Sequence, residues 1–215
     1  MLALRSIADA EAISGQVRAH LARGGLLAYP TETVYGVGSA PEDGPLAALA
    51  ALKGRPPRKP FLLLVASRAM AEMYGLVFNT AAQAMADEFW PGPLTLALPG
   101  GEGKLPDALR GAEGGIAVRH TGHKAMAHLI DRLGHPVTST SANRPGSPPA
   151  PGAEGAEVLF RSAVDDGLLL VLDGGVLGNV PPSTLVDCTT PVSRIIREGA
   201  IPRAELRRRI GRLAP

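Results

Sequence analysis

Glycine and proline break this chain so often that no long uninterrupted element fits between them. Twenty-six glycines and twenty prolines are spread over 215 residues, which points to many tight turns and short elements rather than long helices. Between the breaks, helical and strand patterns alternate. Residues 9–23 carry Ile13, Val17 and Leu21 at helical spacing and stop at Gly24-Gly25. Leu26-Leu27-Ala28-Tyr29 then reads as a strand ended by Pro30. Further helices are expected at 45–52, with Pro45 in the first helical position, and at 68–74, 80–89, 123–133 and about 153–163. Strands are expected at 61–65, 94–98, 116–118, 136–139, 168–172, 184–188 and 192–196. There is no internal repeat and no long structureless gap. The pattern predicts one layered α/β domain over residues 1–215, its helices covering a largely buried sheet.

Composition removes several classes. A hydrophobic fraction of 45% and a charged fraction of 20% are ordinary for a soluble globular protein. The net charge of +2 does not suit a non-specific nucleic-acid coat. A lone Cys188 allows no internal disulfide and fits a reducing compartment. The opening Met1-Leu2-Ala3-Leu4-Arg5 is soon followed by Asp9 and Glu11, which is not an export signal. No apolar run approaches the roughly 20 residues of a membrane span. A cytoplasmic protein without membrane contact is expected.

The densest charge lies in Lys53-Gly54-Arg55-Pro56-Pro57-Arg58-Lys59-Pro60, four cations in eight residues with no acid. Prolines keep this stretch extended, and its mutual repulsion would be offset by a polyanion, phosphate above all. A solvated basic turn is the alternative. The preceding helix delivers Lys53 at its C-terminus, where the helix dipole favours a cation. Two other stretches are dense in hydroxyls: Thr31 to Gly38, closed by Gly36 and Gly38, and Thr138-Ser139-Thr140-Ser141 followed by Asn143. Both make poor core and good sets of neutral donors and acceptors. A plain hairpin and a self-satisfied Ser/Thr turn are the respective alternatives. Arg119 stands at the end of a strand, and Pro202 to Leu213 form a basic helix whose arginines read as a solvated face or an RNA contact.

Familiar catalytic patterns are missing. There is no Gly-x-Gly-x-x-Gly, no Gly-x-x-x-x-Gly-Lys-Ser/Thr and no nucleophile elbow. The five histidines are scattered, and neither Cys188 nor the pair His120 and His123 makes a metal site. What remains is hydroxyl, Lys and Arg. That set suits a reaction whose substrates bring nucleophile and leaving group while the protein brings position and positive charge.

Seven motifs in one order carry a resemblance. They are Tyr29-Pro30-Thr31-Glu32-Thr33-Val34-Tyr35-Gly36, Lys53-Gly54-Arg55-Pro56 with Lys59-Pro60, Trp90-Pro91-Gly92-Pro93-Leu94-Thr95 and Ala117-Val118-Arg119, then Ser141-Ala142-Asn143, Pro182-Ser183-Thr184-Leu185-Val186-Asp187 and Arg197-Glu198-Gly199. From about residue 10 to 203 the chain resembles the YrdC-like family of threonylcarbamoyl-AMP synthases. The resemblance implies a mixed α/β, YrdC-like layered fold: a twisted mixed sheet of about seven strands, flanked by helices, around a large basic cavity. It implies that L-threonine, bicarbonate and ATP give threonylcarbamoyl-AMP and pyrophosphate, with Mg2+ held through the ATP phosphates. A separate transferase complex would then use the product to modify tRNA. By the same resemblance Lys53 and Arg55 are catalytic, and Lys53, Arg55, Lys59, Ser139, Ser141, Asn143 and Arg197 hold the nucleotide. Thr33, Tyr35, Arg119 and Ser183 hold threonine, with Arg119 as carboxylate fork.

Three positions depart from the pattern: Asn143-Arg144-Pro145-Gly146 lacks a hydroxyl many members carry, and Leu64 and Gly115 stand where some members have histidine and threonine. The additional C-terminal domain of longer members is not expected, so a loop would have to close the site. The alternatives to a synthase are a module binding tRNA or double-stranded RNA, and a nucleotide-binding paralogue with weak or different carbamoyl-adenylate activity.

Overall fold

Each expected break is realised by a specific local device. The computed structural model describes residues 1–54, 60–178 and 180–210. After the two-residue strand β1 (Leu2–Ala3), Ser6 caps helix α1 (Ile7–Ala22) in a capping box with Asp9, and Gly24, at φ +80°, ends it. Strand β2 (Leu26–Tyr29) turns back through residues 30–35 into β3 (Gly36–Ser39). Helix α2 (Asp43–Lys53) starts two residues before Pro45. The proline is therefore third in the helix, not first, which is harmless because first-turn N–H groups have no helical partner. Gly54, left-handed at φ +54°, closes it just after Lys53.

The centre of the chain supplies β4 (Leu62–Val65), α3 (Arg68–Met73), α4 (Thr80–Phe89), β5 (Leu94–Leu98), β6 (Ile116–His120), α5 (Lys124–Leu133) and β7 (Val137–Ser141). Ser67, Asn79 and His123 cap α3, α4 and α5 with side-chain acceptors. The expected single helix at 153–163 is two, α6 (Ala153–Leu159) and α7 (Arg161–Asp165), with Phe160 at φ −117° between them. Then come β8 (Leu169–Asp173), β9 (Thr184–Asp187), β10 (Arg194–Arg197) and α8 (Arg203–Ile210). Among the described residues no helix is long and apolar enough to cross a membrane.

Among the described residues the sheet has ten strands, not about seven, in the order β1-β8-β2-β3-β7-β4-β6-β5-β9-β10. β1 is too short to show a pattern, and β3, Gly-Val-Gly-Ser, lacks the side chains that mark a strand. Pairing is mixed: β4 with β6 and β5 with β9 are parallel, whereas β3, β7 and β4 are successively antiparallel.

Register decides which side chains share a face. Tyr29 pairs with Gly36, Gly36 with Ser141, Ser139 with Leu62, and Leu64 with Arg119. Val118 pairs with Leu96, which puts Arg119 beside Thr95; Thr95 pairs with Leu185, and Leu185 with Arg197. All of these project from one face. The opposite face carries Leu26, Ala28, Val37, Leu63, Val65, Leu94, Leu96, Ile116, Val118 and Val186, every one buried. Helices α3, α4 and α5 meet β4 and β5, α1 lies along α5, and α6 and α7 meet β8. On the first face Leu62, Ala97, Ala117 and Leu185 are only half-buried. One side of the sheet is apolar core; the other, the open face, is half-buried at those four positions and carries the polar groups, although Tyr29 and Leu64 on it are buried.

Candidate functional site

The hydroxyl run in β7 is divided by strand alternation. Thr138 points to the core side, where its Oγ1 accepts from Ser39 N at 2.8 Å. Ser139 and Ser141 point to the open face. Ser139 lies buried against the Tyr29 phenol, and the Tyr29 hydroxyl donates to Thr138 O at 2.8 Å. Ser141 Oγ donates to Asn143 Oδ1 at 2.7 Å, and Asn143 Nδ2 donates to Ser147 O at 2.6 Å, which fixes the amide.

Lys53 closes this group from the end of α2. It is buried, and its Nζ donates to Ser141 O at 2.7 Å, to Asn143 Oδ1 at 2.9 Å and to Asn143 O. A dipole-favoured helix end thus delivers an ammonium to the end of β7. Arg55 and Lys59 lie outside the described residues. A cleft of about 450 Å³ opens beside Lys53 and Asn143, bordered by Arg144, Pro145, Phe160 and Arg161. It lies at this end only and does not reach Thr33 or Arg119.

A second group forms around Arg119, which is buried within β6. Its Nη1 donates to Thr33 Oγ1 at 3.3 Å, and its Nη2 lies 3.6 Å from Glu32 Oε2. Burial pushes the guanidinium pKa down, and the Glu32 carboxylate pushes it back up. Thr31 organises the loop that brings Thr33 here: its Oγ1 accepts from the Thr33 and Val34 amides and donates to Val34 O. Tyr35 is also buried, but its hydroxyl is held by Gly174 N and Gly175 O rather than by this group.

The third group stands where β5, β9 and β10 meet. Ser183 Oγ and Thr95 Oγ1 are 2.7 Å apart, and Arg197 Nη2 donates to Ser183 O at 2.8 Å. Arg197 is near enough to Arg119 that its charge adds to the lowering of the Arg119 pKa. Two backbone links join the end of β7 to the loop of the second group: Ala142 N donates to Tyr35 O at 2.8 Å, and Gly36 pairs with Ser141. Lys53, Ser139, Ser141, Asn143, Thr33, Arg119, Ser183 and Arg197 therefore border one side of the sheet, while the Tyr35 hydroxyl is turned into backbone contacts. Glu32, Thr95 and Thr121, whose Oγ1 donates to Glu32 Oε2, were not singled out by sequence. Glu32 and Thr95 sit inside the quoted motifs, yet only register and a contact across 89 residues reveal their partners. The basic helix α8 packs on α4, with Arg209 Nη1 3.0 Å from Glu88 Oε1.

Comparison with known proteins gives a consistent set of relatives. The Sua5/YciO/YrdC family model, described as telomere recombination, matches residues 19–199. A threonylcarbamoyl-AMP synthase of Chromohalobacter salexigens is 39% identical over 170 residues, 79% of this chain and 89% of that protein. One from Pyrococcus abyssi is 32% identical over 191 residues, 88% of this chain but 55% of its own length. The crystal structure of P. abyssi Sua5 complexed with L-threonine superposes with a TM-score of 0.84 at 30% identity, covering 97% of this chain and 59% of that one. The chain thus spans little more than half of the P. abyssi protein.

Proposed function

Because the chain belongs to the Sua5/YciO/YrdC family, we propose that it is a threonylcarbamoyl-AMP synthase, making threonylcarbamoyl-AMP, pyrophosphate and water from L-threonine, bicarbonate and ATP. The observation that carries this reading is the single sheet face shared by the Lys53–Ser141–Asn143 group and the Thr33–Arg119 group. The first suits a nucleotide and the second an amino acid.

The chemistry needs no enzyme nucleophile. The threonine nitrogen, once deprotonated, attacks the bicarbonate carbon and a water leaves, giving a carbamate. A carbamate oxygen then attacks the α-phosphorus, and the bond to the β-phosphate oxygen breaks to release pyrophosphate. Lys53, with Arg55 and Lys59 beyond it, neutralises the anionic oxygens, and Asn143, Ser139, Ser141 and Arg197 hold the nucleotide. Arg119 receives the threonine carboxylate, with Thr33 and Ser183 beside it. Among the described residues no cluster of three His, Cys, Asp or Glu side chains stands ready for a cation. Magnesium would be carried by the triphosphate's own oxygens and screen their charge. The labile product is consumed by a separate transferase that modifies tRNA.

Pyrophosphate release from ATP and bicarbonate should require L-threonine. Release without it would favour a paralogue of different specificity. Lys53→Met should lower adenylate formation by roughly a hundredfold or more, the loss expected when one fixed electrostatic contact to the reacting groups is removed. Undiminished turnover would take Lys53 out of the mechanism.

A further inference from the structure

One acid stands inside the amino-acid group, and the mechanism above does not use it. Glu32 is flanked by Thr31 and Thr33, and its side chain is 21% exposed. Its Oε2 accepts from Thr121 Oγ1, whereas its Oε1 is buried with no hydrogen-bond partner. Thr121 is fully buried and its Oγ1 also accepts from His123 N at 3.2 Å, so that hydroxyl is fixed in direction.

Arg119 mirrors this arrangement. Its side chain is 5% exposed, Nη1 reaches Thr33, and Nε is buried without a partner. A pair meant only to neutralise itself would close to a charge-assisted contact of about 2.8 Å, commonly through two parallel bonds. Here the nearest approach is 3.6 Å, and each partner keeps one buried polar atom unmatched. Unmatched buried groups are costly. Glu32 thus offsets much of the cost of burying a cation without occupying the cation's hydrogen-bonding edge.

We propose that Glu32 is a positioning residue for the amino-acid substrate: held by Thr121, its carboxylate fixes the Arg119 guanidinium against Thr33 and leaves the Nε–H free for the carboxylate of L-threonine. This rests on the synthase reading, which supplies the ligand.

The test is titration calorimetry of the full chain with L-threonine, L-threoninamide and ATP. Glu32→Gln keeps the length and the acceptor for Thr121 but removes the charge. It should raise the Kd for L-threonine roughly tenfold or more, equivalent to about 1.4 kcal/mol, with the Kd for ATP unchanged. L-threoninamide, which lacks the carboxylate, should bind the unaltered protein weakly and be indifferent to the substitution. Glu32→Asp, which keeps the charge, should recover part of the L-threonine affinity and serves alone if the Gln variant fails to fold. Equal L-threonine affinity in the Gln variant and the unaltered protein, or equal losses for L-threonine and its amide, would overturn the role of Glu32 alone. An unaltered protein that binds no L-threonine would overturn the synthase reading and this inference together.

Discussion

Tyr29 fills the space that two glycines leave. Its ring lies 2.8 Å from where a Cβ on Gly36 would stand, and its hydroxyl donates to Thr138 O. Burial pushes the phenol pKa up, so it remains a donor throughout the working pH range. Tyr29→Phe keeps the ring and leaves the Thr138 carbonyl unmatched. It should cost about 1–3 kcal/mol in urea unfolding, and an unchanged midpoint would mean that the donor contributes nothing net. The same scale shows what could be read from sequence. Lys53 and Asn143 were recognisable because their neighbours mark them: a helix end and a hydroxyl run. Thr95 and Thr121 look like ordinary strand and turn threonines until their partners, Ser183 and Glu32, are known.

At the level of elements, the β3–β7 pair is the tightest seam in the site. A Cβ on Gly38 would lie 1.6 Å from Thr138 O, an overlap with backbone that no rotamer relieves. Gly38→Ala should therefore destabilise the protein by about 3 kcal/mol or more, since the two strands must separate. Gly15 gives the contrast. It is exposed in α1 with nothing within 4 Å of a Cβ, so Gly15→Ala should stabilise by about 0.5–1 kcal/mol. Denaturant midpoints moving in opposite directions would separate the two kinds of glycine, and a harmless Gly38→Ala would show that the seam is slack. Element positions followed from capping residues and apolar runs, as at Ser67, Asn79 and Gly134. The glycine-rich β3 did not, because its reason for being a strand is its neighbours.

For the whole molecule, acid should weaken the fold in two stages. His120 and His123 are half-buried, and burial holds both pKa values below the ordinary 6.5. The unfolded chain accepts those protons first, so stability falls as the pH drops from about 6.5 toward the lower folded values. His123 must also stay neutral at Nδ1 to accept from Met126 N and cap α5. The second stage belongs to carboxylates held below their ordinary values: Asp9 by the Arg5 amide, Glu11 by its hydrogen bond with His128, and Asp173 by the Gly175 amide. Their contribution is intact above 3.8 for the aspartates and 4.5 for Glu11, and disappears as the pH falls through the folded values. Urea midpoints should therefore fall between pH 7.5 and 5.5, before these three carboxylates titrate. His123→Asn, which keeps a capping acceptor, should reduce that fall. A flat profile over this range would show that the rings take up protons as readily folded as unfolded.

The sequence by itself determined the local chemistry: where helices start and stop, which runs are apolar, where cations and hydroxyls crowd, and which family the ordered motifs resemble. Those properties are written in residues a few positions apart, where backbone geometry and capping act. Only the tertiary structure decided that Ser139 and Ser141 face the open side while Thr138 faces the core, that Lys53 reaches Ser141, and that Arg119 meets Thr33 and Glu32. Those contacts join residues 86 to 99 positions apart. They follow from a ten-strand order and its register, which are set by the packing of one apolar face and by no short stretch of chain.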